Sequence, residues 1–195
     1  PNAGNVYVYH SNANSYYSYA NTISVGSAAY DQFGYTVKST SDASQVIVSA
    51  PYETVNGKSA AGAVYVYDRS VETFVANGTT YTTRYSINTN TVRVTANGNL
   101  IPSTAYTVPT ANTVVFTSAP VINTLVQIET NKFQKLQRLT AAMPTSGAAF
   151  GSTADISGND ADVYIASPGY SIPGYHSGIV YRYVNQGRSE EHTSE

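Results

Sequence analysis

Phe33-Gly34, Val46-Ile47-Val48, Ala50-Pro51 and Gly62-Ala63-Val64-Tyr65-Val66-Tyr67 are four short signals strung along one stretch of the chain. They return in the same order as Phe150-Gly151, Val163-Tyr164-Ile165-Ala166, Ser167-Pro168 and Gly178-Ile179-Val180-Tyr181-Arg182-Tyr183. Phe to Pro spans 18 residues in both copies, and Pro to Gly spans 11 in the first and 10 in the second. A partial copy, Gly4-Asn5-Val6-Tyr7-Val8-Tyr9, precedes both. Separated signals that keep their spacing twice mark an internal repeat, and a repeat decides the architecture before any local reading does. Short β-branched and aromatic runs bounded by Gly and Pro predict strands.

Composition agrees with strands and turns. The 195 residues include 18 Tyr, with abundant Thr, Ser, Asn and Val. Charged residues make up only 11%, and the net charge is -2, so no basic face for nucleic acid is expected. No apolar run approaches the roughly 18 residues that a membrane span needs, so no membrane insertion is expected. Cysteine is absent, which excludes disulfides and thiolate metal sites. The last eight residues, 188–195, carry three Glu and break abruptly from the strand before them. They read as a translated sequencing adapter, which would make the chain a metagenomic fragment of a larger protein.

The four signals resemble the FG-GAP repeat of integrin-like β-propellers. In that family Phe-Gly is followed by an acidic loop, an apolar strand into Gly-Ala-Pro, and Gly-x-Val-Tyr-Val-Tyr. The present copies depart with Ser49-Ala50-Pro51 and Ala166-Ser167-Pro168. The resemblance covers about 1–70 and 130–187. It implies an all-β partial propeller of about two to two and a half four-stranded antiparallel blades. Residues 6–9 and 16–23 would be the last two strands of one blade. Residues 33–38, 45–49 and 62–67 would be the first three strands of the next, and 150–154, 162–166 and 178–184 those of a third.

The fourth strand of the middle blade is missing after Tyr67 and returns at 133–139. Phe133 lies 17 residues before Phe150, as Tyr16 lies 17 before Phe33. Residues 71–130 therefore read as an inserted, sandwich-like β domain, dividing the chain into 1–70, 71–130, 131–187 and the tail 188–195. Strands are expected at 72–76, 81–87, 91–95, 106–108, 113–117 and 125–129, with hairpin turns at Asn77-Gly78 and Asn97-Gly98. The run Val92 to Gly98 with Val114-Val115-Phe116 and Val126-Gln127-Ile128 is similar to small β modules of phage tail fibres. A decayed full blade is the competing reading, since Gly4 to Gly62 is 58 residues and Gly62 to Gly178 is 116, twice that.

The family resemblance also implies Ca²⁺ in the loop after the first strand of a blade. In the third blade that loop offers Asp155, Ser157, Asn159, Asp160 and Asp162, oxygen donors at nearly alternate positions. An Asx-rich turn that caps its own backbone is the alternative. His10, His176 and His192 lack a nucleophile elbow or a spaced carboxylate partner, so catalysis is not expected. Tyr30, Tyr170, Tyr175 and His176 fall on loops expected at one rim, where rings with amide neighbours suit a surface glycan or a protein ligand.

The expected role is non-catalytic recognition or structural display on a virion appendage, such as a phage tail, or at a cell surface. The remaining blades of the parent chain are further expected partners. A bacterial integrin-like adhesin and the scaffold of a polysaccharide-acting enzyme are the alternatives, and all three place the protein outside the cell or on a virion.

Overall fold

The computed structural model describes residues 3–11, 17–25, 28, 30–41, 43–87, 92–157, 162–172, 175–176 and 178–184. Within these residues the chain is all-β, with a single 3₁₀ turn at Ser103–Ala105. The strands are β1 (Val6–Ser11), β2 (Tyr17–Ile23), β3 (Val37–Ser39), β4 (Gln45–Ala50), β5 (Ala63–Val75), β6 (Thr80–Thr82), β7 (Val94–Ala96) and β8 (Asn99–Leu100). They continue as β9 (Tyr106–Thr110), β10 (Thr113–Phe116), β11 (Leu125–Leu139), β12 (Thr153–Ile156), β13 (Asp162–Ser167), β14 (Ser171–Ile172), β15 (Tyr175–His176) and β16 (Ile179–Val184). The sheets run β1-β2, β3-β4-β5-β11-β7-β8, β6-β10-β9, β12-β13-β16 and β14-β15. Two compact units emerge, one of Pro1–Val6, Thr22–Asp68 and Lys135–Glu195, the other of Tyr7–Asn21 and Arg69–Gln134.

In the first unit the two full repeat copies have the same internal geometry. Val46 pairs with Tyr67 and Ile47 with Val66, as Val163 pairs with Tyr183 and Tyr164 with Arg182. Alternation puts Tyr65 and Tyr67 on one face and Val64 and Val66 on the other. The Phe33 ring meets Tyr65 edge-on at 5.6 Å and Tyr67 at 6.3 Å. Phe150 meets Tyr181 at 5.2 Å and Tyr183 at 6.2 Å. One core joins the copies: Ile47, Val64 and Val66 of the middle copy pack with Phe150, Ile165 and Tyr181 of the later one. Phe150 is fully buried, and truncating such a ring costs about 3–5 kcal/mol.

The Phe-Gly doublet sits outside the strand that it was expected to open. Gly34 has φ +94 and Gly151 φ +91, a left-handed turn that interrupts the ladder. Pairing resumes at Val37 in one copy and Thr153 in the other. The turn is still held, because the Gly34 N–H donates to the Ser49 carbonyl at 2.9 Å and that of Gly151 to Ala166 at 3.0 Å.

Each Phe also docks on the preceding copy. The Phe33 N–H donates to the Ala3 carbonyl at 3.2 Å, and the Phe150 N–H to that of Ala61 at 3.0 Å. The next residues are Gly4 and Gly62. A Cβ on Gly4 would lie 1.9 Å from the Phe33 carbonyl oxygen, and one on Gly62 would lie 2.1 Å from that of Phe150. The backbones pass so closely that no side chain fits between them.

The second unit has its own core of Ala76, Tyr81, Ile87, Val94, Tyr106, Val114, Phe116, Val126 and Ile128. Tyr81 meets Phe116 edge-on at 5.6 Å. Asn97 and Gly98 have φ 48 and 80 between β7 and β8, the two-residue hairpin turn their identities predict. Asn77-Gly78 does not close a hairpin. Ala76 exchanges hydrogen bonds with Asn123 and Thr124 instead, and the chain passes to β6 in another sheet. The strand expected over 81–87 stops at Thr82, because Thr83 and Ile87 bond to the Asn112 and Ala111 carbonyls of the β9–β10 turn. The tail 188–195 lies outside the described residues.

Gly62→Ala is expected to cost about 3 kcal/mol or more, since it combines the clash with a positive φ of 87. Gly57→Ala, at φ 75 with nothing within 4 Å, should cost only about 1 kcal/mol. Urea midpoints of the two variants check this, and equal midpoints would show that the close approach is not rigid.

Candidate functional site

Two exposed tyrosines stand where the two full repeat copies differ. Tyr35 follows the Phe-Gly doublet of the middle copy, and Tyr52 follows Ala50-Pro51. Their rings meet edge-on at 6.3 Å, and both are solvent-exposed, at 54% and 44%. The later copy has Ser152 and Gly169 at these positions. The repeat therefore folds without either ring. Both have neighbours held by burial or backbone hydrogen bonds. The Tyr35 N–H shares the Ser49 carbonyl with Gly34, and Tyr52 lies between buried Pro51 and the anchored Glu53.

Glu53 is the centre of a polar network beside this pair. Its backbone N–H donates to the Ala50 carbonyl at 3.1 Å. Its carboxylate accepts from the Tyr65 hydroxyl at 2.7 Å and from Arg138 Nε at 3.0 Å. Burial, then the Glu53 carboxylate, push the Tyr65 phenol up to about 12. The Lys135 ammonium lies over the Tyr65 ring, 5.8 Å from its centroid. Asp31 is buried nearby, and its carboxylate accepts from the Ala28 N–H at 2.8 Å. Desolvation raises the Asp31 carboxyl above its usual range, partly opposed by that hydrogen bond, and Glu53 adds to the rise. The later copy has Tyr170 in the place of Glu53, so the network too belongs to one copy alone.

The loop residues singled out from the sequence are scattered among other roles. Tyr30 is exposed at φ 77, one residue before Asp31. Tyr170 is half-buried; its N–H donates to the Ser167 carbonyl, and its own carbonyl accepts from Gly178, both at 3.2 Å. Tyr175 and His176 form β15, with His176 opposite Ser171 and Tyr175 opposite Ile172. Their side chains lie outside the described residues. Tyr52, Glu53 and Arg138 were missed by sequence reasoning. Reading the two copies residue against residue would have exposed Tyr52 and Glu53, because a position the fold does not require differs between copies.

In the proposed calcium loop, Asn159 and Asp160 lie outside the described residues. The other three donors are engaged locally. The Ser157 N–H donates to the Asp162 carbonyl at 2.9 Å, and the Asp162 N–H returns to the Ser157 hydroxyl at 2.9 Å. Asp162 accepts from Arg182 Nε at 3.0 Å, and the Lys38 ammonium is 3.8 Å from Asp155. These contacts use the same oxygens that a hard dication would need, and the Ser157 hydroxyl on the Asp162 N–H is the kind of backbone capping that the alternative Asx-rich turn makes.

Millimolar Ca²⁺ is accordingly expected to leave the melting temperature unchanged, and a rise of several degrees would instead assign a calcium site to this loop. A second expectation concerns pH. The Asp31 carboxyl titrates above its ordinary 3.8 in the folded protein, so the folded state holds that proton more tightly than the unfolded chain. Its contribution to stability is therefore full below about pH 4 and is lost as pH rises through the raised value. Asp31→Asn keeps an acceptor for Ala28 and removes the penalty. Its melting-temperature gain over wild type should grow from about pH 4 to about pH 7; a constant difference would show that Asp31 carries no burial cost. Set against family models, curated proteins and solved structures, the chain matches none of them, so the geometry above carries the functional reading alone.

Proposed function

We propose that the chain is a non-catalytic recognition module from a virion appendage or a cell surface, and that it binds a glycan on the Tyr35–Tyr52 pair. The scaffold in this reading is a partial β-propeller whose blades are the repeat copies, with a β domain inserted at 71–130. The observation that carries the proposal is the exposed tyrosine pair present in one copy and dispensable to the fold in the other. Two rings held edge to face offer an apolar ring face and two hydroxyls, which suits the C–H face and hydroxyls of a sugar. The Glu53–Arg138 pair beside them supplies charged hydrogen-bonding groups.

Two features support the propeller reading. The docking of Phe on the preceding glycine occurs twice with the same polarity. The same face of one copy also packs on the aromatic face of the next. Repeated sheets of this kind stack into arrays in which each unit contacts its neighbours.

Binding to a panel of bacterial surface polysaccharides, read by glycan array and calorimetry, tests the proposal. Tyr35→Ala and Tyr52→Ala should each weaken the best ligand about three- to tenfold, with melting temperatures within a degree or two of wild type. Binding that survives the double variant, retention of a protein ligand only, or cleavage of the polysaccharide would overturn it.

A further inference from the structure

Arg84 and Lys132 converge on a single phenol in the second unit. The Lys132 ammonium donates to the Tyr85 hydroxyl oxygen at 2.7 Å and lies 4.0 Å from its ring centroid. The Arg84 guanidinium lies 5.5 Å from the same centroid. Arg69, Arg93, Arg138 and Arg182 each have a carboxylate oxygen in ion-pair range. Arg84 and Lys132 have none among the described residues. Glu72 is close by, but its two oxygens are turned to the backbone. They accept from the Arg84 N–H at 2.8 Å and from the Tyr85 N–H at 3.0 Å.

The segment that carries Arg84 and Tyr85 is pinned residue by residue. The Thr83 N–H donates to the Asn112 carbonyl at 2.8 Å, and the Ile87 N–H to that of Ala111 at 2.6 Å. The Thr83 hydroxyl donates to the Tyr85 carbonyl at 2.7 Å. The Ser86 carbonyl accepts from the Asn131 N–H at 2.7 Å, which ties the segment to β11 one residue before Lys132. Cations carried on a fixed frame lose less freedom when they take a ligand. Arg84 is exposed, and Tyr85 and Lys132 are half-buried. The Lys132 bond occupies one lone pair of the phenol oxygen and leaves the phenol O–H free to donate elsewhere. That bond lowers the Tyr85 phenol from its ordinary value against desolvation and the Glu72 charge, and both cations add to the lowering.

We infer that Arg84, Lys132 and the Tyr85 hydroxyl form an anion-binding site that takes the carboxylate or sulfate group of an acidic saccharide. A guanidinium fork, an ammonium and a phenol O–H are all donors, and charge-assisted bonds to an oxyanion are the strong kind. Two cations do not neutralise the run of phosphates that nucleic-acid binding draws on, so the ligand is one with isolated acid groups. The choice of a saccharide over an acidic peptide rests on the glycan-binding reading above. The anion site itself does not, since its residues belong to the second unit and Tyr35 and Tyr52 to the first.

Calorimetry with polygalacturonate, dextran sulfate, neutral dextran and polyglutamate tests it. The protein carries Tyr35→Ala with Tyr52→Ala throughout, so that the other proposed site is silent. This background should bind at least one of the two acidic polysaccharides and not neutral dextran, with affinity falling as salt rises. Adding Arg84→Ala or Lys132→Gln should weaken that binding about tenfold or more, and Tyr85→Phe about threefold. Melting temperatures confirm that the variants fold, and Arg84 is exposed, so its variant decides the matter should Lys132→Gln not fold. Absence of binding to both acidic polysaccharides overturns the inference. So does equal binding of neutral dextran, or binding unchanged by Arg84→Ala. Polyglutamate held more tightly than either acidic polysaccharide overturns the choice of a saccharide.

Discussion

The distance between two backbones governs this structure. The carbonyl oxygen of Phe150 occupies the place where a side chain on Gly62 would begin, and that of Phe33 does the same at Gly4. A contact between main chains has no rotamers to absorb error, so it fixes where each copy begins relative to the previous one. Once the Phe backbone is placed, its ring falls against the two tyrosines of its own copy, and alternation carries the opposite face toward the next sheet. Packing and aromatic geometry thus follow from two glycines.

A repeated unit also supplies its own control. What both copies keep, the Phe-Gly turn, the proline after the second strand and the tyrosine pair, has a packing or hydrogen-bonding reason that is visible twice. What one copy alone has, Tyr35, Tyr52 and Glu53, cannot be required by the fold they share. Even the conserved tyrosines diverge in detail. The Tyr183 hydroxyl donates to the Thr140 carbonyl at 2.9 Å, whereas the Tyr67 hydroxyl is buried with no hydrogen-bond partner among the described residues.

Much of the first unit was legible because its signals are local. The expected strands over 45–49, 62–67, 162–166 and 178–184 lie within a residue or so of β4, the start of β5, β13 and β16. The length of β5 and β11 was not legible. Asp68-Arg69-Ser70 reads as a break, yet β5 runs on to Val75, and β11 fuses two expected strands. The polar residues meet partners across the sheet, from distant parts of the chain. Gln45 donates to Asp68 at 2.8 Å, Arg69 lies over the Phe133 ring, and the Thr130 hydroxyl donates to the Ser70 carbonyl at 3.0 Å. The Glu53 network was hidden for the same reason, since Arg138 lies 85 positions away. Partners at that separation leave no periodic trace.

The buried phenols set an alkaline limit on this fold. With 18 Tyr and no Trp, ultraviolet absorbance and emission come almost wholly from phenol rings. Burial pushes Tyr65 and Tyr183 up to about 12, and Tyr67 higher still. An unfolded chain releases those protons near 10, so base favours the unfolded state progressively from there upward. Ionisation of the inner rings is thereby linked to loss of the fold. The late rise of phenolate absorbance reports the opening of the sheets from within, without any added dye.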